Sequence, residues 1–260
     1  MIGNQVSSLK GSDPIDINKY LSIINYMPAK HSRKIYIEKG YYHLYNRGVE
    51  KRAIFLDDQD YYIFIRYLRY YLRPKELSAM EIKNDKTMNE MEKIKNLNFL
   101  AKLNNFHGLI KLMSFILMPN HFHLQLQQME KRAIEHFMRS LITKYVMYFN
   151  NKYHRVGTLF QGKYKGVLIA SESQLLHLSR YIHLNIKEIV PTGPLEQYEY
   201  SSYSAYIGQS SYDWLNTEII LRNFKDRKDQ LGFDNYRSFV EGYREKSDAE
   251  RTEYLSILID

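Results

Sequence analysis

Short apolar runs bounded by turn residues alternate along this chain with longer segments whose apolar positions recur every three to four residues. Gly40-Tyr-Tyr-His-Leu-Tyr-Asn-Arg-Gly48 has strand composition and closes on glycine. Strand side chains alternate between faces, so His43, Tyr45 and Arg47 share one side. From Asp57 to Leu72 an acidic start leads into Tyr61, Phe64, Ile65, Leu68, Tyr71 and Leu72, the stripe of an amphipathic helix that Pro74 helps to stop. Residues 75–105 are rich in Lys, Glu, Asn and Met, are only partly periodic, and read as an exposed helical excursion. Two strands joined near Pro119-Asn120 are expected over about 106–127. A helix from about Lys131 to Lys152 follows, burying Ile134, Phe137, Met138, Leu141, Ile142, Tyr145 and Phe149. Leu159–Ile169 holds the last core strand, with Lys163 and Lys165 spaced to lie on one strand face, and Ser171 caps a helix reaching Ile189.

The order strand, helix, strand, strand, helix, strand is that of a ferredoxin-like α+β sheet (βαββαβ), antiparallel, with strands one and three central and both helices on one face. The strand carrying His121 and His123 is then central, and its imidazoles are expected to look away from the two helices onto an open surface. Residues 1–35 show no sustained period and read as a loose arm with at most a short helix near 17–26. Beyond 210, Trp214–Phe224 and Asn235–Arg244 read as short helices, with a third possible in 245–260.

Charge narrows the partners. Thirty-seven basic against 29 acidic residues give a formal charge of +8, which favours a polyanion, nucleic acid ahead of an acidic membrane surface. Without cysteine there are no disulfides, thiolate zinc sites or cysteine nucleophiles. With no signal-like N-terminus and no apolar run long enough to span a bilayer, the expectation is a soluble, cytoplasmic protein without a membrane partner. The 24 tyrosines also suit an AT-rich genome, so aromatic abundance says little about base stacking.

Candidate chemistry centres on His121 and His123, at i and i+2 on one strand face, where two neutral imidazoles can grip one divalent metal. A hydrogen-bonded pair or a solvated edge is the ordinary alternative for an isolated His-x-His. The whole string Met118-Pro-Asn-His-Phe-His-Leu124, however, resembles the His-hydrophobic-His signature of the single-tyrosine transposases, the IS200-like group and its REP-associated relatives. Arg180-Tyr-Ile-His-Leu-Asn185 is a second resemblance. Tyr42-His43 with Arg47-Gly48, the run from Arg155 through Leu159-Phe-Gln-Gly-Lys-Tyr-Lys165, and Tyr200-Ser-Ser-Tyr203 are others. Together they cover about residues 35–210. After Asn185 the chain departs from the family, reading Ile-Lys-Glu where many relatives continue Pro-Val-Arg, so the helix is expected to run on.

The resemblance implies a catalytic domain over 36–210, with 75–105 an insertion, flanked by the arm 1–35 and a helical extension over 211–260. It further implies a catalytic tyrosine helix after the last strand, with Tyr181 as nucleophile and His121, His123 and Asn185 as ligands of Mg²⁺ or Mn²⁺. The activity it implies is cleavage and rejoining of single-stranded DNA, near a hairpin, through a 5′-phosphotyrosine and without ATP, by a monomer or homodimer. Arg47, Lys144, Lys152, Arg155, Lys163 and Lys165 are candidates for the DNA backbone, a solvated surface being the alternative reading of such charges. His43 and His177 are possible neighbours of the site. Two other functions compete: a replication-type nickase, and a protein that binds hairpin DNA or RNA without cutting it.

Overall fold

In the computed structural model residues 36–225 and 233–243 are described. The arm expected over 1–35 and the helix expected within 245–260 lie outside them. Strand β1 (Tyr41–Arg47) is followed by α1 (Asp58–Leu72), by two helices α2 (Lys75–Asn84) and α3 (Glu90–Lys102), and by the hairpin β2 (Ile110–Met118) and β3 (His121–Gln128). Helix α4 (Ala133–Lys152), strand β4 (Lys165–Ile169) and helix α5 (Glu172–Leu184) complete the core. The sheet order is β2-β3-β1-β4, all neighbours antiparallel, so β1 and β3 are central as the ferredoxin-like reading expects.

One face of the sheet packs on α1 and α4. Leu44, Phe115, Leu117, Phe122, Leu124 and Leu126 meet Phe64, Leu68, Phe137, Leu141 and Tyr145 there, all of them fully buried. The two helices are also tied together by a polar cluster. Asp60, fully buried in α1, accepts hydrogen bonds from Leu56 N and from the Tyr148 and Tyr153 hydroxyls, and pairs with Lys152 Nζ at 2.9 Å. Asp57, the N-cap of α1, takes a second contact from the same ammonium at 2.7 Å. The excursion after Pro74 forms a helical pair, α2 and α3, and Asn89 with Glu92 makes a reciprocal capping box that starts the second.

The opposite face is where expectation and structure part. Instead of lying open, it is roofed by α5 and by the tail: Met113, Ile116 and Met118 pack against Leu175, Leu178, Ile182, Tyr203, Phe239 and Val240. The reason is compositional, because α5 buries an apolar stripe of its own and β2 offers apolar side chains on both faces. Helices α7 (Glu218–Lys225) and α8 (Tyr236–Glu241) continue this second layer, and the short α6 (Tyr203–Tyr206) follows a segment that hydrogen-bonds along β2 through Leu117 N to Tyr200 O and Ser202 N to Phe115 O. That segment covers an edge which would otherwise present unpaired backbone.

Candidate active site

Strand register sets the arrangement. In the β1–β3 pair His43 stands opposite Gln125, Tyr45 opposite His123, and Arg47 opposite His121. In the β1–β4 pair Lys165 stands opposite Tyr45. Since the side-chain period is two, these residues occupy the face that α5 covers. Gln125 fastens that cover: its amide donates to the Leu175 carbonyl at 2.7 Å and accepts from Ser114 Oγ at 2.7 Å. With the first turns of α5 pinned there, Tyr181 comes down six residues on, roughly 9 Å further along the helix axis. Its ring stands edge-on to His123, centroids 5.6 Å apart, and edge-on to His43 at 6.4 Å.

His121 and His123 are themselves neighbours, with centroids 5.0 Å apart and planes nearly perpendicular. Asn120 Oδ1 lies 2.6 Å from His121 Nδ1, leaving Nε2 of that ring for other partners. Burial pushes the His121 pKa down to about 4, with the Arg47 charge adding to the effect. His123, 5% exposed, is held well below the ordinary histidine range by burial and then by its neighbours His43, His121 and Arg47. Both rings are therefore neutral at physiological pH, the form a metal needs. Asn185, at the junction of α5 and the 3₁₀ turn Asn185–Glu188, donates its side-chain amide to the Tyr181 carbonyl at 2.8 Å, which leaves its amide oxygen as a donor atom. Burial raises the Tyr181 pKa, while Asn185 and Arg47 draw it back.

The fit of a metal can be judged from this donor set. Among the described residues no group of three or more His, Cys, Asp or Glu side chains is arranged to hold a metal ion. Two neutral imidazoles and one amide oxygen suit a divalent ion that completes its shell with phosphate oxygens and water. Such a set carries no charge of its own, so it fits an ion that arrives with, or is strengthened by, an anionic substrate.

The remaining candidates separate. Arg47 is exposed at the end of the site face, and Lys165 lies 5.6 Å from the Tyr45 ring, also exposed. Lys163, expected beside Lys165 on a strand, precedes the strand instead. Gly162 at φ +84 turns the chain there, and Lys163 lines a groove against α4 with Arg132, Arg139 and Tyr164. Lys144 borders a second depression with Asn104, Asn105 and Arg139. Arg155 lies over the Phe149 ring at 5.7 Å, and Lys152 is engaged by Asp57 and Asp60 as a brace between helices. His177 leaves the site too: a four-residue step drifts about 40° around a helix, and its Nδ1 is 2.6 Å from Arg180 Nη2, on the side of α8. The expected extension of α5 to Ile189 gives way to the 3₁₀ turn after Leu184.

Sequence reasoning did not pick out Gln125, whose only signal is its place in the period-two series 121, 123, 125. Nor did it foresee what the tail does. Arg180, 5% exposed, is sandwiched by Phe239 and Tyr243 at 4.5 and 3.8 Å from their ring centroids. His183 is buried with both ring nitrogens occupied, by the Tyr236 hydroxyl at 2.8 Å and the Ser202 hydroxyl at 2.7 Å.

A four-stranded ferredoxin-like sheet thus carries a tyrosine helix laid over a His-x-His strand, and comparison with known proteins gives this arrangement a family. The family model for IS200-like transposases matches residues 36–185, more than half of the chain. The chain belongs to the IS200-like transposases. No curated protein matches it. Among solved structures, a REP-associated tyrosine transposase bound to a REP hairpin aligns with 14% identity over 71% of this chain and 89% of its own, at a TM-score of 0.45. A transposase-like protein from Deinococcus radiodurans R1 aligns with 17% identity over 59% of this chain and 95% of its own, at a TM-score of 0.25.

Proposed function

We propose that this chain is a metal-dependent transposase that cleaves and rejoins single-stranded DNA, recognised through a hairpin, with Tyr181 as nucleophile. The observation that carries the reading is the edge-on approach of Tyr181 to His123 across the α5–β3 contact within one chain. A phenol with a reference pKa near 10, raised further by burial, is almost wholly protonated at neutral pH, so its attack needs cationic help at the phosphate. His121, His123 and Asn185 would hold a Mg²⁺ or Mn²⁺ ion, which when bound withdraws charge from the scissile phosphate.

This chain's own groups supply the rest. Arg47 and Lys165 border the accessible end of the site face and attract the DNA backbone toward it. The bond from Tyr181 Oη to phosphorus forms as the bond from phosphorus to the 3′-oxygen breaks, and the phenol proton leaves to solvent while the 3′-oxygen gains one. The 5′-phosphotyrosine keeps the phosphodiester's energy, so a 3′-hydroxyl from another end reverses the step at a new junction without ATP.

Single-stranded oligonucleotides carrying the element's flanks and a 3′-end label test this. With Mg²⁺ or Mn²⁺, wild type should acquire label on a denaturing protein gel, and chelation, Tyr181→Phe or His123→Ala should abolish it. Adduct formation by Tyr181→Phe removes Tyr181 from the role. Hairpin binding without any adduct, over flanks that span the whole element end, favours a binding protein instead.

A further inference from the structure

His43 is 1% exposed on β1 and lies diagonally across the strand pair from His123 on the same face. Its Nε2 is 2.8 Å from His123 Nδ1, the two rings stack with centroids 5.0 Å apart, and Tyr45 stacks on His43 at 4.9 Å. Its other nitrogen, Nδ1, is buried with no hydrogen-bond partner among the described residues. Two imidazoles at this distance share a single proton between the facing nitrogens, and only two arrangements exist. If His43 donates, His123 must carry its own proton on Nε2, and no lone pair remains on His123 for a metal. If His123 donates, its Nε2 is bare and the second proton of the pair sits on His43 Nδ1. Among the described residues either arrangement leaves His43 Nδ1 unpartnered, as a lone pair in the first and as an N–H in the second, so the choice rests on the neighbouring His121.

His121 supplies the comparison. The Asn120 amide nitrogen donates to the Lys51 carbonyl at 3.3 Å, which turns its oxygen to His121 Nδ1 and makes that nitrogen the protonated one. His121 is thereby held with Nε2 bare. For His123 to match it, His43 has to act as acceptor, the usual task of the group behind a metal-bound histidine.

We propose that His43 is the positioning residue of the metal site, accepting the Nδ1 proton of His123 and so fixing the tautomer and ring orientation that offer His123 Nε2 to the ion. The inference rests on the reading of His121 and His123 as ligands. Mn²⁺ binding to the full chain, followed by the electron paramagnetic resonance of the free ion, tests both. His43→Leu removes the acceptor and should weaken Mn²⁺ binding roughly 10–100-fold. His43→Gln, whose amide oxygen can accept from His123, should recover most of the loss. Nitrogen–proton correlation spectra of the Mg²⁺-loaded wild type should show His123 protonated at Nδ1, and this measurement decides the matter if His43→Leu does not fold. Unchanged Mn²⁺ affinity in a folded His43→Leu, or a His123 proton on Nε2 in the loaded protein, overturns the proposal. A wild type that takes up no Mn²⁺ even with single-stranded DNA present overturns the metal reading itself, and this inference with it.

Discussion

Replacing Gln125 by leucine separates the cover from the sheet without touching a reacting group. The wild-type amide is fully buried and spans two elements, donating to the Leu175 carbonyl and accepting from the Ser114 hydroxyl. Leu175 lies inside α5 and keeps its own helical partner, so its carbonyl is not stranded. Ser114, also fully buried, loses the acceptor of its hydroxyl. Two net hydrogen bonds at about 1 kcal/mol each, with the cost of a stranded hydroxyl falling on one of them, set the loss at about 2–3 kcal/mol. Adding Ser114→Ala removes the stranded group, and the double variant should regain about 1 kcal/mol over Gln125→Leu, a sign opposite to simple additivity. Urea unfolding followed by far-ultraviolet circular dichroism measures both. Adduct formation by Gln125→Leu should fall further than the unfolded fraction accounts for, because α5 is then free to shift over His123. A loss below about 0.5 kcal/mol, or equal adduct yield at equal folded fraction, refutes the idea that this amide sets the height of the tyrosine helix.

Other outcomes follow from the same contacts. Asp60→Ala should destabilise by about 2–3 kcal/mol in urea, since it leaves Lys152 with Asp57 alone and takes the carboxylate acceptor from the Tyr148 hydroxyl at the α1–α4 junction. Lys152→Gln should lower stability yet leave the salt dependence of DNA binding unchanged, whereas Arg47→Gln and Lys165→Gln should each reduce the slope of log K against log salt by about one. Stability should also fall on acidification. His43 and His183, held down to about 3 by burial, and His121, at about 4, stay neutral in the fold but take protons near pH 6.5 when unfolded. Their contribution is complete above about pH 6.5 and lost as the pH falls toward 4, by at most about 1.4 kcal/mol per pH unit for each ring, which urea midpoints across that range would reveal.

Periodicity carried α1 and α4 well because each buries a one-sided apolar stripe. Phe64, Leu68, Phe137 and Leu141 point at the sheet as their spacing requires. The two histidines of β3 share a face for the same reason. Less visible was anything decided between elements. His43 reaches His123 only through the register of β1 on β3, and a one-residue slip would have turned it into the opposite core. The roof over the site face escaped notice because β2 is apolar on both sides, which in one dimension looks like any buried strand. Lys163 and Lys165 read as one face until a positive-φ glycine placed the first before the strand. Lys152 looked like a free charge on a helix surface, and nothing local announced that Asp57 and Asp60, some 90 residues earlier, would take it.

Roofing the sheet also changes how the site must be entered. With His43 and His123 buried beneath α5, a nucleic acid strand cannot lie flat across the sheet, and in the proposed reaction the phosphate enters at the end bordered by Arg47, His121 and Lys165. The same roof ties Tyr181, the proposed nucleophile, to its own chain. Gln125 holds the start of α5, Phe239 and Tyr243 clasp Arg180 beside Tyr181, and His183 is locked between Tyr236 and Ser202 one turn later. Moving α5 onto a second copy would require every one of these contacts to be broken and rebuilt there. In the proposed reaction the tail then acts at a distance, by fixing which sheet Tyr181 faces, and Phe239→Ala or Tyr243→Ala should reduce adduct yield by way of α5 and Arg180, not through His121 or His123.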